Sequence, residues 1–446
     1  MRGLVASLAA AALLLASPAR ADGPEPTHEP SPKRAVPDYD GRGPQPAPDP
    51  ALWPLRVVLS PLYFTSEFVL RRPIGAITRE AEKHDIPEKV YDFFAFGPDH
   101  KIGFVPVGLV EFGFNPSVGI YGFWNDAFVP GNKLHIHYEV WPADWLSGVV
   151  DDRWQIDDAH AVELRVAGLH RPDMVFYGIG PESASFDVSR FSESRFETKL
   201  TYSQYVWRRS RFEAEAGVRK VDLSPGRYGS DPSLEVEART GVFPIPFGFE
   251  RGYFGPTARL FAQLDTRRRN TDAGSGIRLQ AQADTGSDLE HAPATGWIRW
   301  GGVASVLVDL NDHGRVLSLT GAASFADPIG DQPIPFTELA TLGGDQWLHG
   351  FFPGRLVDRS FAVAQLKYRW PVAPWLDGTI EGATGNVFGE HLAGFDAKLL
   401  RVSAGLGLTT RSELPIEVVV AFGTDTIDRG ATVNSLRVSL GVPRGF

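Results

Sequence analysis

The chain has no cysteine, which excludes disulfides, thiolate metal sites and cysteine nucleophiles. It has only two methionines. Beyond its first residues it has no apolar run long enough to cross a bilayer as a helix. The nearest stretch, Ala51 to Leu70, is broken by Pro54, Arg56, Pro61 and Glu67. Lys plus Arg is 44 against 54 Asp plus Glu, a formal charge of −10 with no long basic block, so nucleic acid is not an expected partner. Gly-x-Ser-x-Gly, His-Glu-x-x-His and nucleotide-binding patterns are missing, and no Lys-Ser/Thr follows Gly343-Gly344. No catalytic residue, metal or other cofactor is therefore expected. Glycine, with 47 residues, and tryptophan, with 11, are abundant instead.

Arg2 precedes an apolar run from Leu4 to Ala16, and Ala19-Arg20-Ala21 follows. A basic start, a short apolar segment and an A-x-A site make residues 1–21 a signal peptide and the protein an exported one. Residues 22–50 carry nine prolines and almost no large apolar side chains, the composition of a disordered or polyproline linker. In residues 51–100, Ile74, Ile77 and Ala81 alternate at helical spacing with Glu80, Glu82 and Lys83. Pro73 and Pro87 stand where helices can start. This segment reads as short periplasmic helices or as a loosely packed connector.

From Lys101 the texture becomes alternating. Trp300, Ala304, Val306, Val308 and Leu310 oppose Arg299, Ser305 and Asp309; Ala362, Ala364, Leu366, Tyr368 and Trp370 oppose Gln365, Lys367 and Arg369. Period-two alternation is the strand signature. The runs are about ten residues long, as a tilted membrane-crossing strand requires. Their polar faces are charged strand after strand. Trp297, Trp300, Tyr368, Trp370 and Trp375 sit near run ends, where an interfacial girdle belongs. Sixteen runs are legible: 101–112, 117–124, 133–141, 158–168, 195–207, 210–221, 233–241, 257–266, 277–284, 297–309, 315–326, 361–370, 375–385, 399–409, 415–423 and 434–442. An even number of strands closes a barrel, the remaining solution for a chain without membrane helices. The expected fold is all-β: a sixteen-stranded antiparallel transmembrane β-barrel over residues 101–446, behind a short helical N-terminal segment.

Several side-chain groups suggest chemistry but have plainer readings. His135 and His137 share a strand face without an evident third metal ligand. Asp151, Asp152, Asp157 and Asp158 read as a solvated acidic loop, and Arg267-Arg268-Arg269 as a solvated turn. The long connection 327–360 stands out, because long loops are where function usually sits.

That connection contains Leu342-Gly343-Gly344-Asp345-Gln346-Trp347-Leu348-His349-Gly350-Phe351-Phe352-Pro353-Gly354-Arg355, then Asp358-Arg359, and runs into Lys367-Tyr368-Arg369-Trp370-Pro371. It resembles the BamA/TamA/FhaC class of outer-membrane barrels, the bacterial surface antigen family. That family has Gly-Gly, hydrophobic-Arg-Gly-aromatic, Gly-Arg and Asp-Arg in a loop between strands eleven and twelve of sixteen. The run count places this loop after eleven runs and before five. Gly385-Asn386-Val387-Phe388-Gly389, Phe176-Tyr177-Gly178-Ile179-Gly180 and the terminal Phe446 are similar to other family segments. The family's loop arginine is His349 here, its strand glutamate is Lys367, and its lumen acid is Ala383 with Glu381 one step earlier. An arginine is a permanent forked cation and a histidine a titratable one. Arg355 or Arg359 paired with Glu381 could therefore replace the family's lock.

The resemblance implies a loop folded into the lumen, with Gly343, Gly344, Leu348, His349, Gly350, Phe351, Gly354, Arg355, Asp358 and Arg359 as its motif. Glu381, Lys367 and Arg369 are its expected inner-wall partners. Gly350 is expected to matter through a tight fold-back. The chain resembles members without the periplasmic POTRA modules, for which residues 51–100 are too few. The implied activity is assembly or translocation of proteins, or of lipids, at the outer membrane of a Gram-negative bacterium. Its implied partners are membrane lipid and client barrel or exported polypeptides, with any partner lipoproteins unidentified. A passive channel for small solutes is the alternative.

Overall fold

The computed structural model describes residue 76 and residues 80–442, except 82, 98, 142–143, 269–273, 311–313, 374 and 412–413. The expected signal peptide and linker, most of segment 51–100, Arg269 and Phe446 lie outside the described residues. Of the segment before the barrel, one helix is described, α1 (Ile86–Phe94), followed by the two-residue strand Ala95–Phe96.

Sixteen strands form the barrel. They are β1 (Ile102–Glu111), β2 (Ser117–Asn125), β3 (Asn132–Trp141), β4 (Trp145–Gln155), β5 (His160–Phe176), β6 (Ser189–Trp207), β7 (Ser210–Pro225) and β8 (Tyr253–Asp265). Then come β9 (Gly276–Asp288), β10 (Thr295–Asp309), β11 (Val316–Ile329), β12 (Ser360–Ala373), β13 (Leu376–Phe388), β14 (Arg401–Thr410), β15 (Glu417–Thr424) and β16 (Val433–Gly441). Each pairs antiparallel with the next, and β16 pairs with β1, so the sheet has no free edge. Closure satisfies the strands' backbone groups within the sheet, the condition for a spanning structure in hydrocarbon.

Exposure runs opposite to that of a water-soluble sheet. Val306, Leu366 and Leu436 are 51–52% exposed, while their neighbours Ser305, Gln365 and Arg437 are 2%, 8% and 1% exposed. Apolar side chains point outward and polar ones into the lumen, which is the arrangement for lipid outside and polar surroundings inside. On the outer wall Trp370 stacks on Tyr368 at 5.6 Å and packs with Trp375 near one barrel end. Trp297 departs from the girdle reading. It is 1% exposed, points inward, and meets Tyr253 edge to face at 5.2 Å.

The strand count agrees with the sequence reading through two errors that cancel. Residues 145–155, unassigned in the sequence, are β4, so Asp151 and Asp152 belong to a strand and only Asp157 and Asp158 to the turn after it. The run expected at 233–241 is instead helix α2 (Leu234–Thr240), with Leu234 buried and Gly241 closing it at φ 82°. Residues 169–194, outside the expected runs, divide among the end of the 17-residue β5, the connection 177–188 and the start of the 19-residue β6.

The long connections, including 226–252 and 330–359, leave the same end of the barrel. There α2, the strand ends and the 330–359 loop bury Phe176, Phe191, Leu234, Phe243, Phe336 and Leu339 in one apolar core. This core caps the end of the lumen from which the loop descends.

Candidate functional site

The 330–359 loop enters the lumen and packs on the inner wall. It contains a 3-10 turn at Phe336–Glu338 and a two-stranded ribbon, Ala340–Leu342 against Leu356–Asp358. Between the ribbon strands the chain folds on itself. The Gly343 N–H donates to the Trp347 carbonyl at 3.1 Å and the Gly344 N–H to the Phe351 carbonyl at 2.8 Å. Leu342, Leu348, Phe351 and Leu356, each at most 1% exposed, pack on Phe361, Val363, Ala383 and Val387 of β12 and β13.

The wall facing the tip is built from small inward residues: Ser403 and Gly405 on β14, Ala421 and Gly423 on β15, and Ser435 on β16. Small side chains leave the space that the loop occupies. The Gly350 N–H donates to Ser403 Oγ at 2.8 Å, and Ser435 Oγ donates to the Gly350 carbonyl at 2.6 Å. A Cβ on Gly350 would lie 2.1 Å from the Phe422 carbonyl group, and one on Gly423 would lie 2.7 Å from the Phe351 ring. Gly350 is thus required by close approach to the wall. The fold-back turns through positive φ at Gly343, Gly344 and Leu348, at 112°, 81° and 54°.

The motif side chains take three different directions. The His349 Nδ1 faces the Glu381 carboxylate, and its Nε2 lies 2.8 Å from the Asp345 carbonyl oxygen. Lys367, directly opposite Glu381 in the β12–β13 ladder, reaches its other oxygen at 3.5 Å. The Gln365 amide donates to the same oxygen at 3.3 Å. Arg369 lies two residues beyond Lys367 on the same face, opposite Thr379.

Neither arginine meets Glu381, which corrects the substitution expected from the sequence. Arg355 instead donates to Ser183 Oγ and to the Ser183 carbonyl, both at 2.8 Å, and lies 4.1 Å over the Tyr177 ring. Burial and the neighbouring Arg401 push its guanidinium down to about 10. Gly354 provides the turn before it, closed by the Arg355 N–H on the Phe352 carbonyl at 3.0 Å. Arg359 bonds Glu390 at 2.9 Å and Asp327 at 3.4 Å at the loop-end rim. Asp358 lies on the ribbon, accepts from the Arg359 N–H at 2.7 Å, and has its carboxyl raised by burial. The loop is therefore tied to β13 by His349, to the 177–188 connection by Arg355, and to the rim by Arg359.

A second part of the site was not read from the sequence. The seam between β1 and β16 has three residue pairs, Glu111 with Ser439, Val110 with Leu440 and Leu109 with Gly441. The next shortest ladder, β14 with β15, has seven. Two more backbone bonds, Phe112 N–H to Val438 and Val442 N–H to Gly108, each 3.1 Å, extend the seam slightly. Inside it, Arg437 of β16 is 1% exposed and pairs with Glu111 of β1 at 2.5 Å and with Asp345 of the loop at 2.5 Å. One loop residue, Asp345, thus gives its carboxylate to the seam and its carbonyl to His349. Glu111 and Arg437 sit in ordinary alternating runs, so only their spatial meeting marks them.

On the opposite wall a polar cavity of about 350 Å³ is lined by Arg153, Glu163, Arg165, Glu197, Lys199 and Glu215, among others. Its charges pair with one another, as Arg165 does with Asp151 at 3.0 Å and Lys199 with Glu197 at 2.9 Å. His137 belongs to this kind of wall as well, with Nε2 2.9 Å from Glu139.

No family model and no curated protein sequence matches the chain. Solved structures do. The chain is similar to BamA from Haemophilus ducreyi lacking POTRA domains 1–3, at 14% identity over 76% of this chain and 70% of that one, with a TM-score of 0.51. It is also similar to CdiB from Acinetobacter baumannii, at 10% identity over 77% of this chain and 59% of that one, TM-score 0.49. A third is CdiB from Escherichia coli, at 12% identity over 75% and 62%, TM-score 0.48. The chain spans about three-fifths of each CdiB. At these identities the shared property is the fold, a BamA-like sixteen-stranded barrel.

Proposed function

We propose that this protein is a barrel of the BamA/TamA/FhaC type in the outer membrane of a Gram-negative bacterium, acting in the assembly or translocation of proteins, or of lipids, with the 330–359 loop as its functional element. No catalytic step is assigned to it. The observation that carries the reading is the three-pair seam, held from inside by a loop that also plugs the lumen. A short ladder is the least costly place to part a closed sheet. Parting it presents unpaired strand edges to which an incoming extended segment can add by strand pairing. The lateral exit also lets a client reach lipid without crossing the capped end.

The passive-channel reading draws on the charged inner walls. The loop and the apolar cap, which occupy the lumen, weigh against it. Two measurements separate the readings. Depletion should lower the abundance of other barrel proteins, exported proteins or surface lipids, and normal levels of all of them would refute the proposal. Joining the seam through Val110→Cys and Leu440→Cys with a short thiol cross-linker should reproduce the depletion phenotype while the barrel stays folded. A large, steady single-channel conductance from purified protein would favour the channel.

A further inference from the structure

We propose that the hairpin ahead of the barrel is a built-in edge strand: Ala95–Phe96 occupies the stretch of the β1 seam edge that β16 does not reach, and an incoming extended segment must displace it. This inference rests on the seam being where a client strand adds, and it specifies what guards that edge.

Parity fixes which backbone groups of β1 face the seam. Successive residues of a paired strand turn their backbone groups to opposite edges. The Asn125 N–H of β2 donates to the Lys101 carbonyl at 2.8 Å, so odd positions serve β2. The Gly108 carbonyl accepts from the Val442 N–H and the Phe112 N–H donates to the Val438 carbonyl, so even positions serve the seam. Pro106 therefore presents to the seam the position of β1 that has no N–H.

The ladder pairs along this edge stop on either side of the proline. β16 covers Leu109 to Glu111. Toward the start of β1, Ala95 lies opposite Gly103 and Phe96 opposite Ile102, antiparallel. On the other edge the β1–β2 ladder runs unbroken from Ile102 to Leu109. A strand continued past Val442 would find no donor at Pro106, so the proline divides the edge between its two partners.

The start of β1 is shaped for the hairpin. The chain turns back at Gly97, at φ 87°, with the His100 N–H on the Gly97 carbonyl at 3.3 Å. A Cβ on Gly103 would lie 2.8 Å from the Phe94 carbonyl oxygen and would run into the Phe123 ring, so this glycine leaves room for the returning arm. Lys101 pairs with Asp126 at 2.8 Å and fixes the start of β1 against the end of β2. Ala95 is 5% exposed, whereas Phe96 is 51% exposed in line with the outward Phe104 at 56%. The arm thus continues the inward and outward faces of the barrel wall. It is joined to β1 by a short turn, so its loop-closure cost is small, while β16 meets β1 only through closure of the whole sheet. A strand adding along β1 gains main-chain bonds at Ile102 and Phe104 only by replacing this arm.

The test uses the full chain folded in phosphatidylcholine vesicles. Phe96→Cys with Ile102→Cys places two thiols at opposed positions, and no other cysteine competes. Opposed Cα atoms of a hydrogen-bonded antiparallel pair stand about 5.5 Å apart, within disulfide reach. Mild oxidation should close this disulfide readily. Replacing Pro443-Arg444-Gly445-Phe446 with about six alternating Thr and Val residues makes β16 long enough to reach Ile102. This competitor should slow closure by about tenfold, the scale of one or two backbone hydrogen bonds. Adding Pro106→Val, which restores the missing donor, should slow it further. Equal closure with and without the longer strand would overturn the proposal, and so would failure of the disulfide to form in the chain of natural length.

Where the lengthened chain does not fold, the same strand is supplied as a synthetic peptide, residues 433–442 followed by the Thr and Val extension, to the double-cysteine chain. Closure should again slow with peptide concentration, and closure indifferent to the peptide would refute the edge strand. Neither measurement uses a client or a cell. Unchanged closure therefore strikes the edge strand alone, and a negative depletion test strikes the proposed function alone.

Discussion

Arg437 and Glu111 stand 326 residues apart in sequence and form a 2.5 Å ion pair across the seam that closes the barrel. Both are nearly inaccessible, at 1% and 3% exposed. Arg437 also reaches Asp345, so the last strand, the first strand and the lumen loop meet at one guanidinium.

Removing one member of that pair should cost more than removing both. Arg437→Ala strands the buried Glu111 carboxylate, an effect of about 3–5 kcal/mol for buried pairs. Glu111→Ala together with Arg437→Ala should restore part of that loss. Heat-dependent mobility of the two single variants and the double variant measures the cycle, and additive losses would mean the pair is not coupled.

Gly350→Ala should destabilise the folded barrel by about 1–3 kcal/mol, the usual cost of overpacking. The added methyl would meet the Phe422 carbonyl group, which belongs to the strand ladder and cannot withdraw. His349→Ala, which removes a side chain and adds no clash, should cost less than that. Equal heat-dependent mobility midpoints for the Gly350 and His349 variants would contradict the close approach.

Glu338 gives the cap an acid limit. It is 2% exposed, bonds Arg219 at 2.7 Å and accepts from the Tyr253 hydroxyl. Burial pushes its carboxyl up, but Arg219, Arg299 and the Tyr253 bond together hold it below the ordinary value of 4.5. A depressed carboxylate contributes stability that is complete above the unfolded value and is lost as pH falls through the folded one. Hydrogen exchange in residues 334–342 should therefore accelerate below about pH 4. Glu338→Gln should exchange faster at neutral pH and lose the acid response.

A charge on the outer wall tests the membrane assignment. Leu366→Arg and Leu406→Arg place a guanidinium on outward positions now 51% and 44% exposed. Each should cost about 2–4 kcal/mol near the bilayer midplane. Folding yield into vesicles should drop while an outward position in a connection, such as Phe186 at 83% exposed, tolerates the same change. Equal tolerance at all three would argue against lipid on this face.

The strands were legible where alternation was clean, as in β10 and β12, because side-chain direction along a strand is a local property with period two. β4 was missed because Asp151 and Asp152 are adjacent, one lining the lumen and the other bonded to Asn132. In α2, five alternating residues, Leu234 to Ala238, imitate a strand. The helix signals were Ser233 before the segment and Gly241 after it.

The lumen loop was legible as a motif but its contacts were not. The sequence offers several cations for Glu381, and which one reaches it depends on where the ribbon Ala340–Leu342 and Leu356–Asp358 aims the chain. The structure gives it to His349 and Lys367, and sends Arg355 to the 177–188 connection and Arg359 to the rim. By itself, the sequence determined the strand type and the outward apolar stripes, since each is set by neighbours within about ten residues. Only the tertiary structure decided the short seam, its Arg437–Glu111–Asp345 junction and the seat of His349. Those contacts join residues brought together by closure of the whole sheet, and no local pattern records that distance.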